Sequence, residues 1–295
     1  DLSITGTKPN FDMLISFAPH DLIPVLERYN NAGDIYFDAF VQGPTENGQM
    51  PYISVDFGAK DAFLENIVAD KKIDELAFEG HFSNGAEKNM KTMEFSLKGM
   101  HANLESGEFK GSVFVKNFEE PDIQMELDAD FDLEFLADFF ELDNIQDIHG
   151  AIELHMKFHD IIDLSNPERS IERLNEAYYS EILIEDLGFK TVDFHLPFSD
   201  INTRVIVEGH EAEIEYFKGE IGASDINLSG HISDLPAILH HTDQEVTADL
   251  LIESKLLDIL EMTTTNDPES TPVDEKIDDF KMNLKFVTTA RNFTE

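Results

Sequence analysis

The sequence predicts a mainly β protein, with repeated antiparallel one-faced sheets, a few short helices and an elongated groove-like or open-barrel architecture. Three observations carry that reading. Apolar and polar residues alternate over long stretches, which is the period of a half-buried strand. Turn dipeptides punctuate those stretches. A set of ordered markers also recurs along the chain at long intervals.

Taken in order, Thr5-Gly6-Thr7 is a glycine in strand context, Asp21 to Tyr29 reads as a short helix, and Ile35 to Val41 alternates as a strand. Asn47-Gly48 marks a turn, and Asp61 to Ala69 carries Phe63, Leu64, Ile67 and Val68 at helical spacing. Strands follow at Leu76 to Phe82, Phe95 to Gly99 and Phe109 to Val115, with turns at Asn84-Gly85 and Ser106-Gly107. The first of three clean strands sets Ile123, Met125, Leu127, Ala129 and Phe131 against Gln124, Glu126, Asp128 and Asp130. Asp132 to Phe140 reads as a helix. The second clean strand interleaves Ile152, Leu154, Met156 and Phe158 with Glu153, His155 and Lys157. Ser165-Asn166-Pro167-Glu168 is a cap with Pro at the first helical position, and Ile171, Leu174 and Tyr178 then predict a helix from Pro167 to Glu181. Strands are expected at Ile182 to Ile184, Val192 to Phe198, Arg204 to Val207, Ile214 to Phe217 and Ile226 to Ile232, with a turn at Glu208-Gly209. Lys255 to Glu261 reads as a short helix and Thr263 to Pro272 as a linker. In the third clean strand Phe280, Met282, Leu284 and Phe286 oppose Lys281, Asn283 and Lys285.

Charge narrows the partners. Sixty-one Asp and Glu against 21 Lys and Arg give a net charge of −40 over 295 residues. Such a chain lacks the cations that neutralise phosphates, so nucleic acid is excluded as a partner, and an anionic membrane surface repels it. Apolar residues still make up 41% of the chain, including 24 Phe, enough to offset chain entropy when buried. The absence of cysteine excludes disulfides, thiolate metal sites and a Cys nucleophile. With no leader-like segment and no apolar run near the ~18 residues of a membrane span, the sequence reads as a soluble piece of a longer protein.

The recurring markers define a repeat. Leu26, Leu136 and Leu260 lie in similar Asp-Leu segments, 110 and 124 residues apart. Upstream of them stand Gly6, Gly111 and Gly230, and downstream stand Gly33 to Phe37, Gly150 to Leu154 and Asp278 to Met282. The expected order in each unit is glycine strand, apolar strand, short helix, apolar strand. This divides the chain into 1–31 as the end of a preceding repeat, 32–144 and 145–265 as repeat units, and 266–295 as a linker and the start of another. Stacked units of this size would lengthen one continuous dry face.

Chemistry is hard to find. His155 and His159 stand four apart beside Asp160, and His240 adjoins His241, but the first pair shares a wet strand face and the second lies in a loop pattern. Acids such as Glu119 with Glu120, or Asp278 with Asp279, follow from the composition and select no glycosidase pair. Asp128, Asp130 and Asp132 open like a calcium loop, yet Leu133 and Phe139 occupy its glycine and closing-Glu positions. Glu141, Asp143 and Asp147 form an acidic loop without a calcium motif. No metal, cofactor or catalytic residue is assigned, and the chain is expected not to be an enzyme.

Three features together resemble the AsmA-like proteins of Gram-negative bacteria, in particular the Bacteroidetes type. These are the Phe131-Asp-Leu-Glu-Phe-Leu-Ala-Asp-Phe-Phe140 punctuation, the segments Glu108-Phe-Lys-Gly-Ser-Val113 and Asp225-Ile-Asn-Leu-Ser-Gly-His-Ile232, and the one-faced strands between them. The resemblance covers nearly the whole chain. It implies a periplasmic protein anchored in the inner membrane by an N-terminal helix outside this sequence, with repeated β units forming an apolar groove that moves phospholipid between inner and outer membranes. The partner would then be phospholipid or other lipid acyl chains. Candidate groove residues are the dry sides of the clean strands: Ile123, Met125, Leu127, Ile152, Leu154, Met156, Phe158, Phe280, Met282 and Leu284. Each acyl methylene moved from water onto such a face gains roughly 0.8 kcal/mol, and a strip without directional polar contacts lets a chain slide. The competing expectation is a structural or interaction β module in which the same residues form an ordinary closed core.

Overall fold

In a computed structural model, the described residues are 1–8, 10–11, 28–44, 49–142, 144–161, 178–192, 194–234, 245–258, 261 and 276–289. Fourteen strands form one antiparallel sheet in strict sequence order. They are β1 (Leu2–Lys8), β2 (Asn30–Gln42), β3 (Tyr52–Asn66), β4 (Lys71–Ser83), β5 (Glu94–Leu104), β6 (Gly107–Lys116) and β7 (Asp122–Asp132). After the helix α1 (Leu133–Phe140) come β8 (Ile145–Ile161), β9 (Tyr178–Thr191), β10 (Phe198–Glu208), β11 (Glu211–Ile221), β12 (Ser224–Ile232), β13 (Glu245–Asp258) and β14 (Lys276–Thr289). The sheet is not closed. The mainly β, antiparallel, one-faced class that alternation predicts is therefore the fold observed.

Contacts divide the chain into two compact units. The first holds Asp1–Phe131, Asp138–Glu141 and Met156–Arg173, and the second holds Asp132–Ala137, Leu142–His155 and Leu174–Glu295. A buried cluster of Phe11, Ile35, Ala59 and Ala62, flanked by Leu64, Leu76 and Phe78, anchors the first. Val207, Ala212, Ile232, Val246, Ala248 and Leu250 anchor the second.

Bulges break the ladders at acidic or glycine residues in left-handed conformations. Register shifts beside Asp61 (φ 48°), Glu75 (φ 50°) and Gly99 (φ 57°) run through β3, β4 and β5. Asp186 (φ 52°) and Asp200 (φ 50°) do the same in β9 and β10. Each extra residue sharpens the local twist and flips the parity of the side chains beyond it.

Those flips explain where the sequence reading fails. Asp61 to Ala69 is not a helix: residues through Asn66 complete β3, and Ile67 to Asp70 form the turn into β4. The helical spacing of Phe63, Leu64, Ile67 and Val68 comes from the bulge shifting the alternation, and strand pairing on both sides overrides it. Lys255–Asp258 likewise ends β13 in strand conformation, although Lys255 to Glu261 reads as helical. The third helical marker of the repeat therefore begins inside a strand. Tyr178 to Glu181 opens β9 rather than closing a helix, and the rest of the Pro167 to Glu181 segment lies outside the described residues apart from these four. The described residues between Val192 and Pro197 form a connection rather than a strand, and only Phe198 of the expected Val192 to Phe198 strand is in one. The Phe194 N–H turns back to Thr191 Oγ1 at 3.2 Å, and Pro197 has no N–H to give a ladder before β10 starts at Phe198. Arg28 and Tyr29 form a turn and bend ahead of β2, and 21–27 lies outside the described residues, as do Leu26, Asn47-Gly48, Leu260 and Thr263 to Pro272.

The helix expected at Asp132 to Phe140 is present as α1. Asp132 caps it, its Oδ1 accepting the Phe135 N–H at 3.1 Å, and Phe135 and Phe139 are buried. The Phe139 ring stacks on Tyr29 with centroids 4.9 Å apart.

Candidate functional site: the apolar face

Strand register carries the dry residues into rows that run across the strands. In the first unit one row is Ile4–Ala39–Val55–Phe82–Phe95–Val115–Ile123, and the next is Gly6–Phe37–Phe57–Gly80–Leu97–Val113–Met125. Leu127 stands opposite Gly111. In the second unit the rows are Ile184–Thr203–Phe217–Leu228–Ile252–Met282 and Ile182–Val205–Ile214–Gly230–Leu250–Leu284, with Phe280 opposite Ser254.

The rows change character along the strands. Ile35 and Ala59 of the first unit are fully buried, whereas Phe37, Phe57, Val113 and Met125 in the adjoining row are half-buried, and Ile4 in the next is 46% exposed. The second unit is covered more evenly, since Leu250, Thr203, Ile201 and Ser254 are buried along the same face. Val207, Ala212, Ile232 and Ala248 are buried, Ile182, Val205, Ile214 and Leu284 are half-buried, and Met282 is 37% exposed. In the first unit the dry face passes from closed core at Ile35 and Ala59 to half-buried apolar rows, with Ile4 on the terminal strand β1 the most exposed; in the second unit buried and half-buried residues alternate along the whole face.

Of the candidate residues, Leu284 packs against the closed cluster of the second unit, Met282 is 37% exposed and the others are half-buried. Ile123, Met125 and Leu127 are half-buried while Gln124, Glu126, Asp128 and Asp130 are exposed. On β8, Ile152 and Leu154 of the second unit and Met156 and Phe158 of the first are half-buried, with Glu153, His155, Lys157 and His159 exposed. Phe280 and Leu284 are half-buried.

The wet face is a lattice of ion pairs. Lys157 Nζ lies 3.0 Å from Glu126 Oε1, a contact that raises the lysine pKa. Arg204 reaches Glu181 at 2.6 Å and Glu215 at 2.7 Å, and its hydrogen bond, followed by that of Tyr179, lowers the pKa of Glu181. Lys281 pairs with Glu253 and Lys285 with Asp249.

The histidine and acid candidates are dispersed. His159 Nε2 contacts Asp122 at 3.1 Å, while His155 shares its strand face with Glu153 and Lys157 and acts on Glu181. Glu141 accepts from Asn66 at 2.9 Å and faces Arg28 at 3.5 Å, and Asp147 is held by Lys190 at 2.6 Å, which lowers its pKa. Asp143, His240 and His241 lie outside the described residues. Among the described residues no three His, Asp or Glu side chains converge as a metal site.

One polar site escapes sequence reading. A cavity of about 720 Å³ at the β10–β11 turn is lined by Tyr178, Tyr179, Glu208, His210 and Asp234. His210 Nδ1 lies 3.0 Å from Asp234 Oδ2, and its buried Nε2 has no hydrogen-bond partner among the described residues. The two residues meet only because the β11–β12 hairpin folds back, so no local spacing could announce them.

No known family model, curated protein or solved structure matches this chain. Its class rests on its own geometry: an open antiparallel sheet, dry on one face and acidic on the other.

Proposed function

We propose that the chain is a non-enzymatic lipid-binding or lipid-transfer segment of an AsmA-like periplasmic protein whose parent is anchored in the inner membrane. Its open dry face holds phospholipid acyl chains in passage between inner and outer membranes. The observation that supports this reading most is the pair of half-covered apolar rows in the first unit, Ile4 to Ile123 and Phe37 to Met125, which adjoin the closed core at Ile35 and Ala59 on the same strands. An ordinary sandwich buries the whole face beneath a second layer, whereas these strands all belong to one sheet. A methylene chain laid on rows of Ile, Val, Leu, Met and Phe gains roughly 0.8 kcal/mol per group removed from water, less the costs of binding.

Native mass spectrometry of the purified chain, followed by organic extraction, tests the proposal. Phospholipid travelling with the protein near stoichiometry is the expected result. A clean unliganded mass that persists after incubation with lipid overturns it. It would favour a structural or interaction module, a reading that draws on the fully buried cluster around Val207 and Val246.

A further inference from the structure

Resting on that reading, we infer that the dry face takes diacyl lipids whose headgroup carries no net charge, zwitterionic phospholipid above all, and discriminates against anionic ones. The rows traced above contain no Lys or Arg in either unit, so an anionic headgroup finds no counter-charge on the surface that holds its chains. The opposite face is strongly acidic and lies only one strand layer away. Glu126, Asp128 and Asp130 of β7 and Glu153 of β8 are exposed there. Across a single sheet their charges are on the order of 10 Å from the dry surface, about the Debye length at 0.1 M salt, so screening leaves much of their field in place.

Several cations lie on this same acidic face against its acids and offset part of the field, but Asp and Glu outnumber Lys and Arg by 61 to 21 over the chain. Lys116 pairs with Asp122 at 3.1 Å, Lys157 with Glu126, Arg204 with Glu181 and Glu215, Lys281 with Glu253 and Lys285 with Asp249. The net charge of −40 makes the far field negative as well. A zwitterionic headgroup carries its own ammonium group beside its phosphate and meets this field almost neutrally. An anionic one carries the repulsion with every chain it seats.

The experiment incubates the whole chain with mixed vesicles of equal phosphatidylcholine and phosphatidylglycerol bearing the same oleoyl chains, then extracts and quantifies the lipid bound. At low salt phosphatidylcholine should exceed phosphatidylglycerol by about tenfold, and the excess should shrink to about twofold in high salt. Asp130→Lys combined with Glu153→Lys alters only exposed wet-face positions, and Asp130 already stands opposite Glu108 in register. That variant should narrow the ratio while phosphatidylcholine uptake stays unchanged. Equal uptake, or a preference for phosphatidylglycerol at low salt, overturns the discrimination and leaves acyl-chain binding standing. Uptake of neither lipid overturns both.

Discussion

The ring of Phe57 lies across Gly80 on the neighbouring strand, so close that a Cβ at Gly80 would stand 2.4 Å from its Cε2 and Cζ atoms. Phe37 covers Gly6 of β1 in the same way, with its Cε1 2.6 Å from the Cβ position. In each case a glycine gives up its own side chain to let a neighbouring aromatic ring lie flat on the dry face, which keeps that face smooth and the ring ordered. Phe57 cannot simply swing away, because Phe78 packs edge-on at 6.3 Å and Phe95 stacks at 6.2 Å. Gly80→Ala is therefore expected to destabilise the first unit by about 1–3 kcal/mol through overpacking. A Phe57→Leu background should recover part of that loss, as a coupled pair does in a double-mutant cycle followed by urea unfolding. Gly99→Ala makes the contrast. Its Cβ would meet nothing within 4 Å, so it should cost only the left-handed backbone strain at φ 57°, about 1 kcal/mol.

Met125→Asp, Met156→Asp and Met282→Asp separate open surface from core. All three methionines keep contact with solvent, so a carboxylate there can stay hydrated while interrupting the apolar strip. Cooperative unfolding should persist in each variant while co-purifying lipid is lost. Val246 has no exposed surface, and a carboxylate in its place has no route to water, so Val246→Asp should abolish the cooperative transition of the second unit. Circular dichroism melts paired with lipid extraction read both effects. Unfolding of all three methionine variants would make those residues core and remove the support for a groove.

Most of the fold is legible in the sequence because period-two alternation survives wherever pairing is regular, as along β7 and the paired stretch of β14. Legibility fails at the bulges. Beyond Asp61 the buried positions become Ala62 and Asn66, out of phase with Phe57 and Ala59, and a reader counting apolar spacing finds a helix instead. The dry residues of the candidate site are likewise readable from alternation. Whether a dry residue is core or open surface is not, since Val207 and Val205 look alike in sequence and differ only in their place along the strand. The His210–Asp234 contact is invisible for a related reason: hairpin register, not spacing, creates it.

Asn66 is the polar hinge between the β3–β4 turn and the end of α1. It is buried, and its Nδ2 donates to the Phe139 carbonyl at 3.0 Å and to Glu141 Oε1 at 2.9 Å. Its Oδ1 accepts from the Val68 and Ala69 N–H groups at 3.0 and 3.2 Å. Asn66→Leu matches the volume but leaves the carbonyl and at least one N–H without partners, at a cost of about 2–4 kcal/mol. Amide exchange at Val68 and Ala69 should speed up alongside the fall in melting temperature. Unchanged exchange there would mean that the turn holds without the side chain.

Asp225 gives the sheet a dependence on acid. Burial opposes its ionisation, but the N–H groups of Leu256 and Lys255, both at 2.9 Å from Oδ1, and the Ser254 hydroxyl outweigh that cost and hold its pKa below the usual carboxylate value. These bonds fix the end of β13 against β12. Because the folded-state pKa lies below the unfolded one, the stabilisation is complete above the unfolded value of about 4 and disappears as pH falls through the folded value. Asp225→Asn keeps an acceptor oxygen but loses the charge that strengthens the bonds, a difference that solvent screening limits to about 1 kcal/mol. Urea midpoints of the two proteins should therefore be furthest apart near neutral pH and converge as pH falls through the lowered folded-state value. A gap that stayed constant across that range would show that the three donors hold the side chain by geometry alone, without favouring its charge.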